Sequence, residues 1–218
     1  MKSQKKSPYK EALEKLWHYL SGFVPLSRTE FQLILPYLEI REFEKKGMVV
    51  KPGEVDKYIN LIVQGLARKY LPVKDGDITL QLATEGHIVH SELSFHTQAP
   101  SGPGIETIEP TVFISISFDS LQQLYEQVPK AERLGRLLMS DLFIRKDSRY
   151  FDQLQKSTRE RFLEYIRTHP HILQRVPQKY IASYLNIKPE TFSRLKHLLQ
   201  PRRGGGAPSQ IHDKHRDL

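Results

Sequence analysis

Three histidines lie close together in the sequence, at His87, His90 and His96. Imidazole binds transition metals and haem, so these residues could form a metal or haem sensor. Histidines in loops and at the surface offer an alternative interpretation that needs no metal. An enzyme of the cupin type would need a histidine-rich metal motif on adjacent strands, and these histidines lack that pairing. We therefore predict no metal ligands among them.

Other signals of catalysis are absent from the sequence. Asp75 and Asp77 flank Gly76, which is typical of a hairpin turn and not of a catalytic pair of carboxylates. The chain has no nucleophile elbow, phosphate-binding glycine loop or HExxH motif. It also has no cysteine, which excludes disulfides, thiolate zinc sites, cysteine-bound iron–sulfur clusters and thiol redox sensing. We predict that the protein is not an enzyme and holds no cofactor.

The most informative spacing lies in residues 177–199, PQKYIASYLNIKPETFSRLKHLL. Pro177 and Pro189 each suit the first turn of a helix, and Asn186 between the two helices suits a turn with positive φ. Apolar residues at fixed offsets complete a helix-turn-helix pattern, for which an unrelated helical hairpin is the alternative. These apolar residues are Ile181, Ala182, Leu185, Ile187, Phe192 and Leu195.

The outward face of the second helix carries polar residues that could recognise DNA. Arg194 can bind guanine O6 and N7, and Glu190 can accept from the cytosine amino group or pair with Arg194. Residues near the helix starts are natural contacts for phosphates. The DNA-binding candidates are Gln178, Lys179, Lys188, Glu190, Thr191, Ser193, Arg194 and Lys196.

Positive charge is concentrated in this part of the chain. Residues 157–203 contain ten lysines or arginines against three acids, an excess of seven, whereas the whole chain carries a net charge of +8. Such a segment can neutralise phosphates, although a generic solvated basic domain would have the same composition.

The remaining elements follow from periodicity. Residues 9–38 have helical spacing, and residues 40–117 contain short β-rich runs between glycine turns, which predicts an antiparallel barrel or jelly roll. A short helix is predicted over residues 119–128. A long helix then follows, with Pro129 in its first turn.

The long helix is apolar on more than one face, which predicts a homodimer through it; a single buried core helix is the alternative. A further helix is predicted over residues 158–168. We divide the chain into a sensor domain (1–128), a dimerisation helix (129–156), a DNA-binding domain (157–203) and a flexible tail (204–218).

In this order of elements the chain resembles the superfamily of bacterial transcription factors that contains the cyclic-AMP receptor protein and the fumarate–nitrate regulator (CRP/FNR). The resemblance covers about residues 10–200. Its specific parts are residues 43–54 (FEKKGMVVKPGE), 58–70 (YINLIVQGLARKY), 83–95 (ATEGHIVHSELSF) and the helix-turn-helix.

The resemblance implies an α+β fold: an N-terminal cyclic-nucleotide-binding-like antiparallel β-roll, a long dimerisation helix and a C-terminal helix-turn-helix domain. It also implies that Glu190, Thr191 and Arg194 form the segment that reads bases. The family's usual arginine in that segment is replaced here by Pro189. Lys188 lies at the N-cap, where serine or threonine would cap better.

The effector region departs from the family pattern. Ser91-Glu92-Leu93 resembles the first half of the family's phosphate cassette, so Glu92 could hold a ribose-like hydroxyl. The second half aligns near Ser101, and no arginine lies between Glu85 and Glu109. Without that arginine the cyclic phosphate lacks its bidentate partner, so we expect no response to cyclic AMP. The candidates for the effector pocket are His90, Ser91, Glu92, Leu93 and Ser101.

These observations predict a transcriptional regulator that binds a palindromic operator in double-stranded DNA as a homodimer. RNA polymerase is a candidate partner, and a small-molecule effector would be one of unknown identity. No apolar run could span a membrane and no secretory signal is evident, so we expect a cytoplasmic protein with no membrane partner. The alternative is a ligand-sensing β-roll module that acts through protein partners instead of DNA.

Overall fold

A computed structural model describes residues 8–199. The predicted tail and the last residues of the predicted DNA-binding domain lie outside this range. The described part of the chain begins with helices α1 (Pro8–Ser21) and α2 (Arg28–Ile34), followed by a 3₁₀ turn at Leu35–Tyr37. Ser27 begins α2 with a capping box, because its hydroxyl accepts from the Glu30 amide while the Glu30 carboxylate accepts from the Ser27 amide.

Eight strands then form two four-stranded antiparallel sheets. The first sheet has the order β1-β8-β3-β6 and the second has the order β2-β7-β4-β5. The two sheets form the antiparallel β-roll that the glycine-punctuated runs predict. The strands are β1 Leu38–Phe43, β2 Met48–Val50, β3 Tyr58–Gln64, β4 Ala67–Val73, β5 Gly76–Ala83, β6 Ile88–Val89, β7 Gly104–Thr107 and β8 Thr111–Ser117.

The roll closes around a small apolar core. Ile62, Ile105 and Phe113 are fully buried between the sheets. The turn from β3 to β4 needs glycine at position 65, where φ is +102° and an added Cβ would lie 2.5 Å from the Pro110 carbonyl oxygen. The tight approach of that turn to Pro110 brings β4 beside the start of β8.

Three helices accompany the roll: α3 (Glu92–Thr97), α4 (Phe118–Gln127) and the long α5 (Ala131–Gln155). The prediction that Pro129 lies in the first turn of the long helix is wrong. Lys130 is the N-cap residue and has a left-handed conformation with φ of 68°, so the helix begins only at Ala131.

The C-terminal part consists of short helices. They are α6 (Thr158–Thr168), α7 (Ile172–Arg175), α8 (Gln178–Tyr184) and α9 (Pro189–Lys196), with a last 3₁₀ turn at His197–Leu199. Helix α6 has the limits that the sequence predicts. Across residues 8–199, none of the helices combines the length and apolar character that crossing a bilayer requires.

The C-terminal helices pack directly on the second sheet of the roll. One apolar cluster joins Leu66, Leu82 and Ile108 of the roll to Phe162 and Ile181 of the helices. This packing crosses the domain limits proposed from the sequence, which remain predictions.

Polar contacts reinforce the same interface. The Arg149 guanidinium donates to the carbonyl oxygens of Leu80 and Tyr184, at 2.6 and 3.0 Å, and so ties α5 to both β5 and α8. The Thr79 amide donates to Ser183 Oγ at 2.9 Å. Helix α8 is thereby held along β5.

Arg175 of α7 connects the C-terminal helices to the roll through several hydrogen bonds. Its guanidinium bonds to both Glu85 carboxylate oxygens at 2.8 and 2.9 Å, to the Gly65 carbonyl oxygen at 3.1 Å and to the Glu109 carboxylate. These ion pairs, first with Glu85 and then with Glu109, raise the pKa of Arg175.

We expect Arg175→Ala to lower the free energy of unfolding by about 1–2 kcal/mol, because it leaves two neighbouring carboxylates without their shared cation. Chemical denaturation would measure this loss. Hydrogen exchange should also accelerate in α7 and α8. Lys51→Ala, which removes an exposed ion pair with Glu54, is the control and should change stability by less than about 0.5 kcal/mol. Equal effects of the two changes would contradict the role given to Arg175.

Candidate functional site

The helix-turn-helix lies where the sequence predicts it, in helices α8 and α9. Asn186 in the turn has φ of 54°, which confirms the expected left-handed conformation. Pro189 is in the first turn of α9, as expected, but Pro177 is the N-cap residue of α8 and not part of its first turn. Ile181, Ala182, Leu185 and Phe192 are buried. The Phe192 ring packs edge-on against Phe162 of α6.

Seven of the eight predicted DNA-binding residues are exposed on this unit. Thr191 alone among them is half-buried, and Arg194 Nη2 donates weakly to its hydroxyl at 3.4 Å. Glu190 is exposed, and the hydrogen bond of Arg194 is with Thr191 and not with Glu190. The other exposed candidates are Gln178, Lys179, Lys188, Ser193 and Lys196.

Both helices begin without a side-chain cap. Pro177 has no capping group, and the Lys188 side chain makes no hydrogen bond to the first turn of α9. The first amides of each helix therefore keep hydrogen-bonding capacity for an outside acceptor. Lys179 and Lys188 stand beside these two helix starts and add positive charge.

The predicted effector pocket lies inside the roll, but an internal ion pair fills part of it. Lys69 on β4 is buried, and its ammonium group donates to Glu92 Oε2 at 2.6 Å and to the His90 carbonyl oxygen at 3.0 Å. Burial opposes ionisation of Glu92, but the nearby Lys69 more than offsets it, so the pKa of Glu92 is lowered. The residue expected to hold a ribose-like hydroxyl is thus already bonded.

A buried carboxylate, that of Asp56, lies beside the start of α3. Asp56 is 1% exposed and accepts from the Ser91 amide at 2.6 Å and from the Tyr58 amide at 3.2 Å. Burial raises the pKa of Asp56 despite these bonds. Ser101 Oγ donates to Ser91 Oγ at 2.8 Å, so the two halves of the predicted cassette do meet.

The remaining candidates for the effector pocket and for a metal site do not lie together. His90 is 2% exposed, its Nε2 has no hydrogen-bond partner, and burial lowers its pKa to about 4. Leu93 is 76% exposed, unlike the buried His90, Ser91 and Ser101. His87 Nδ1 bonds to Thr84, away from His90. Within residues 8–199 no three metal-binding side chains are grouped to hold an ion.

Sequence reasoning missed the charged groups of β4. Arg68 is 4% exposed on the opposite face of the strand from Lys69, and it pairs with Asp77 and Glu106 at 2.6 Å each. Its guanidinium also stacks 3.7 Å from the ring centroid of Tyr180 on α8. The adjacent basic residues in the sequence gave no sign that both would be buried.

Comparison with known proteins gives the fold. No family model and no curated protein sequence matches the chain. A solved structure of the c-di-GMP-responsive global regulator CLP of Xanthomonas campestris matches with a TM-score of 0.60 and 16% identity, over 82% of this chain and 96% of that one.

Two further structures match comparably. A protein described as a transcriptional regulator of the CRP/FNR family from Eubacterium rectale has a TM-score of 0.59 and 17% identity, over 81% of this chain and 87% of that one. A cyclic nucleotide-binding domain from Methylobacillus flagellatus has a TM-score of 0.57 and 19% identity, over 67% of this chain and 86% of that one. The chain therefore has the α+β fold of the CRP/FNR regulators, as the sequence predicts.

The burial of neutral His90 predicts a pH dependence of stability. Its folded pKa lies below the unfolded value near 6.5, so the unfolded chain binds the extra proton and this stability is lost as the pH falls from about 6.5 towards 4. The contribution is about 1.4 kcal/mol per pH unit. His90→Leu should abolish it, which denaturation at several pH values would measure. His96→Leu, at an exposed histidine, is the control; an unchanged slope in His90→Leu would refute the assignment.

Proposed function

We propose that this protein is a transcriptional regulator that binds a palindromic site in double-stranded DNA as a homodimer. One observation carries the proposal: the helix-turn-helix presents an exposed basic and polar face, while its apolar face is buried against the roll. A docking surface for a protein partner would not need this excess of positive charge. We propose further that the protein acts in the cytoplasm, is not an enzyme, and has RNA polymerase as a candidate partner.

In the proposed complex α9 enters the major groove. Arg194 and Glu190, one helical turn apart, read base edges. Lys179 and Lys188 contact phosphates together with the uncapped amides at the helix starts. The loose bond of Arg194 to Thr191 costs little to exchange for a base, because both groups are exposed or half-exposed.

The proposed dimer forms along α5. The first turns of α5 pack on the roll through Ala131 and Leu134. Its later turns expose apolar side chains at a spacing of seven residues, Phe143 with Tyr150 and Ile144 with Phe151. A seven-residue apolar repeat is typical of helices that pair side by side. A two-fold dimer would also present two α9 helices to half-sites about 34 Å apart.

We propose that cyclic AMP is not the effector. The cassette offers the phosphate no arginine, because none lies between Glu85 and Glu109. Arg68 faces the helix-turn-helix, and Arg41 of β1 is already bonded to the Asn60 side chain of β3 at 3.0 Å. Glu92 is bonded to Lys69, and the Asp56 carboxylate already accepts the Ser91 amide at the start of α3. A cyclic phosphate would be repelled by that carboxylate and would lack the cassette arginine as its bidentate partner.

We call the exposed apolar residues Phe143, Ile144, Tyr150 and Phe151 of α5 the seam. The dimer is tested by placing a charge on this seam. Phe151→Glu should convert the protein to a monomer at micromolar concentration, because it places two like charges in the paired apolar surface. Light scattering after size exclusion would measure the mass. Leu33→Glu, an equally exposed leucine on α2, is the control and should leave the dimer intact. A monomeric wild-type protein would contradict the proposal.

DNA recognition is tested after selecting genomic fragments that the purified protein retains. Arg194→Ala should weaken operator binding by about 1–3 kcal/mol and random-DNA binding little, because base contacts carry specificity. Lys179→Ala should weaken both kinds of DNA similarly and reduce the salt slope by about one unit, as loss of a phosphate contact does. Fluorescence anisotropy at several salt concentrations would measure both.

The same assay contains its controls. Glu190→Ala should mimic Arg194→Ala mildly if Glu190 orients the arginine, and should change preference at a different base pair if it reads cytosine itself. Lys51→Ala removes a lysine from the roll and should leave DNA binding unchanged. Equal losses on operator and random DNA for Arg194→Ala would make Arg194 a phosphate contact. Retention of no DNA at all would favour a module that acts through protein partners.

A further inference from the structure

A second cavity lies outside the roll interior. It lies between the outer face of the first sheet and helices α1, α4 and α5, opens partly to solvent, and has a volume of about 130 Å³. We call it the α5 cavity. Its walls include Leu16 of α1, Leu61 and Ile114 of the sheet, and Leu138 and Leu142 of α5. The pocket predicted from the sequence lies on the other side of this sheet and shares none of these side chains.

The lining of the α5 cavity is mostly apolar. Aliphatic side chains form most of its wall, and no Asp, Glu, Lys or Arg is among the described residues that line it. Its polar groups are few: the hydroxyls of Tyr19, Tyr125 and Ser115 and the imidazole of His96. Burial raises the pKa of both tyrosines, so both rings remain neutral. Such a cavity disfavours ions and also disfavours water, which needs two or more polar partners.

The size of the cavity exceeds a packing defect. Protein interiors contain few voids larger than a water molecule, whereas an engineered apolar cavity of about 150 Å³ stays dry and binds benzene. We propose that the α5 cavity is a binding site for a small, uncharged, apolar molecule of about the size of toluene.

An occupant would touch the helix that carries the exposed seam. Helix α5 forms one wall through Leu134, Leu138 and Leu142, and the seam begins one residue later, at Phe143. Tyr125 of α4 lies against the α5 backbone at Gly135, where an added Cβ would lie 2.7 Å from its Cζ. The site is therefore built from α4, α5 and the sheet at once, and an occupant would hold these elements together.

The test uses toluene and the full-length protein without DNA, so its outcome is independent of the proposed function. Toluene should raise the melting temperature by at least about 1 °C in a saturable manner, because it binds the folded state alone. It should also shift the methyl NMR signals of Leu61, Ile114 and Leu138. Benzoate, a charged molecule of similar size, should do neither.

Two variants that fill the cavity from opposite walls complete the design. Leu138→Phe on α5 and Leu61→Phe on β3 should each abolish the effects of toluene while the protein remains folded. Leu33→Phe, which adds the same group at an exposed position outside the cavity, should leave them intact. Absence of saturation, equal effects of benzoate, or undiminished toluene binding in both folded filling variants would overturn the proposal.

Discussion

Strand β4 carries a buried cation on each of its faces, and buried charges are tolerated only when they are paired. Lys69 points into the roll and meets Glu92, whereas Arg68 points out and meets Asp77, Glu106 and the Tyr180 ring. The outward cation is sheltered because α8 covers it. The position of the helix-turn-helix on the second sheet and the content of the roll interior are both tied to these two neighbouring residues.

The outward half of this arrangement, on the Arg68 side of β4, determines how the helix-turn-helix is presented. Arg68, Arg149 and Arg175 all reach across the same interface, and an apolar cluster that includes Phe162 lies between them. Burying one face of the helix-turn-helix here leaves the opposite face, with Arg194, accessible. Helix α8 therefore packs on β5 of the roll as well as on the neighbouring C-terminal helices, and α9 is held through it.

The inward half of this arrangement, on the Lys69 side of β4, supports the proposal that the roll does not bind cyclic AMP. Lys69 and Asp56 already satisfy the groups that a nucleotide would use, namely the Glu92 carboxylate and the Ser91 amide. Replacing these internal bonds with a ligand would leave a buried charge unpaired, which is costly. The apolar α5 cavity on the other side of the first sheet carries no such bonds, and a neutral molecule could enter it without displacing an ion pair.

The sequence by itself determined the features that depend on neighbouring residues. The short strands, α6 and the helix-turn-helix follow from local periodicity and from Asn186, whose turn demands a residue that tolerates positive φ. The predicted starts of α5 and α8 were each wrong near a proline, Pro129 and Pro177. The cause is again local, because proline suits the residue before a helix as well as the first turn of the helix. Only the tertiary structure decided which charges are buried and where space remains. Lys69 and Glu92 are 23 residues apart and Arg68 and Tyr180 lie on different elements, so their pairing depends on how the sheets and helices pack.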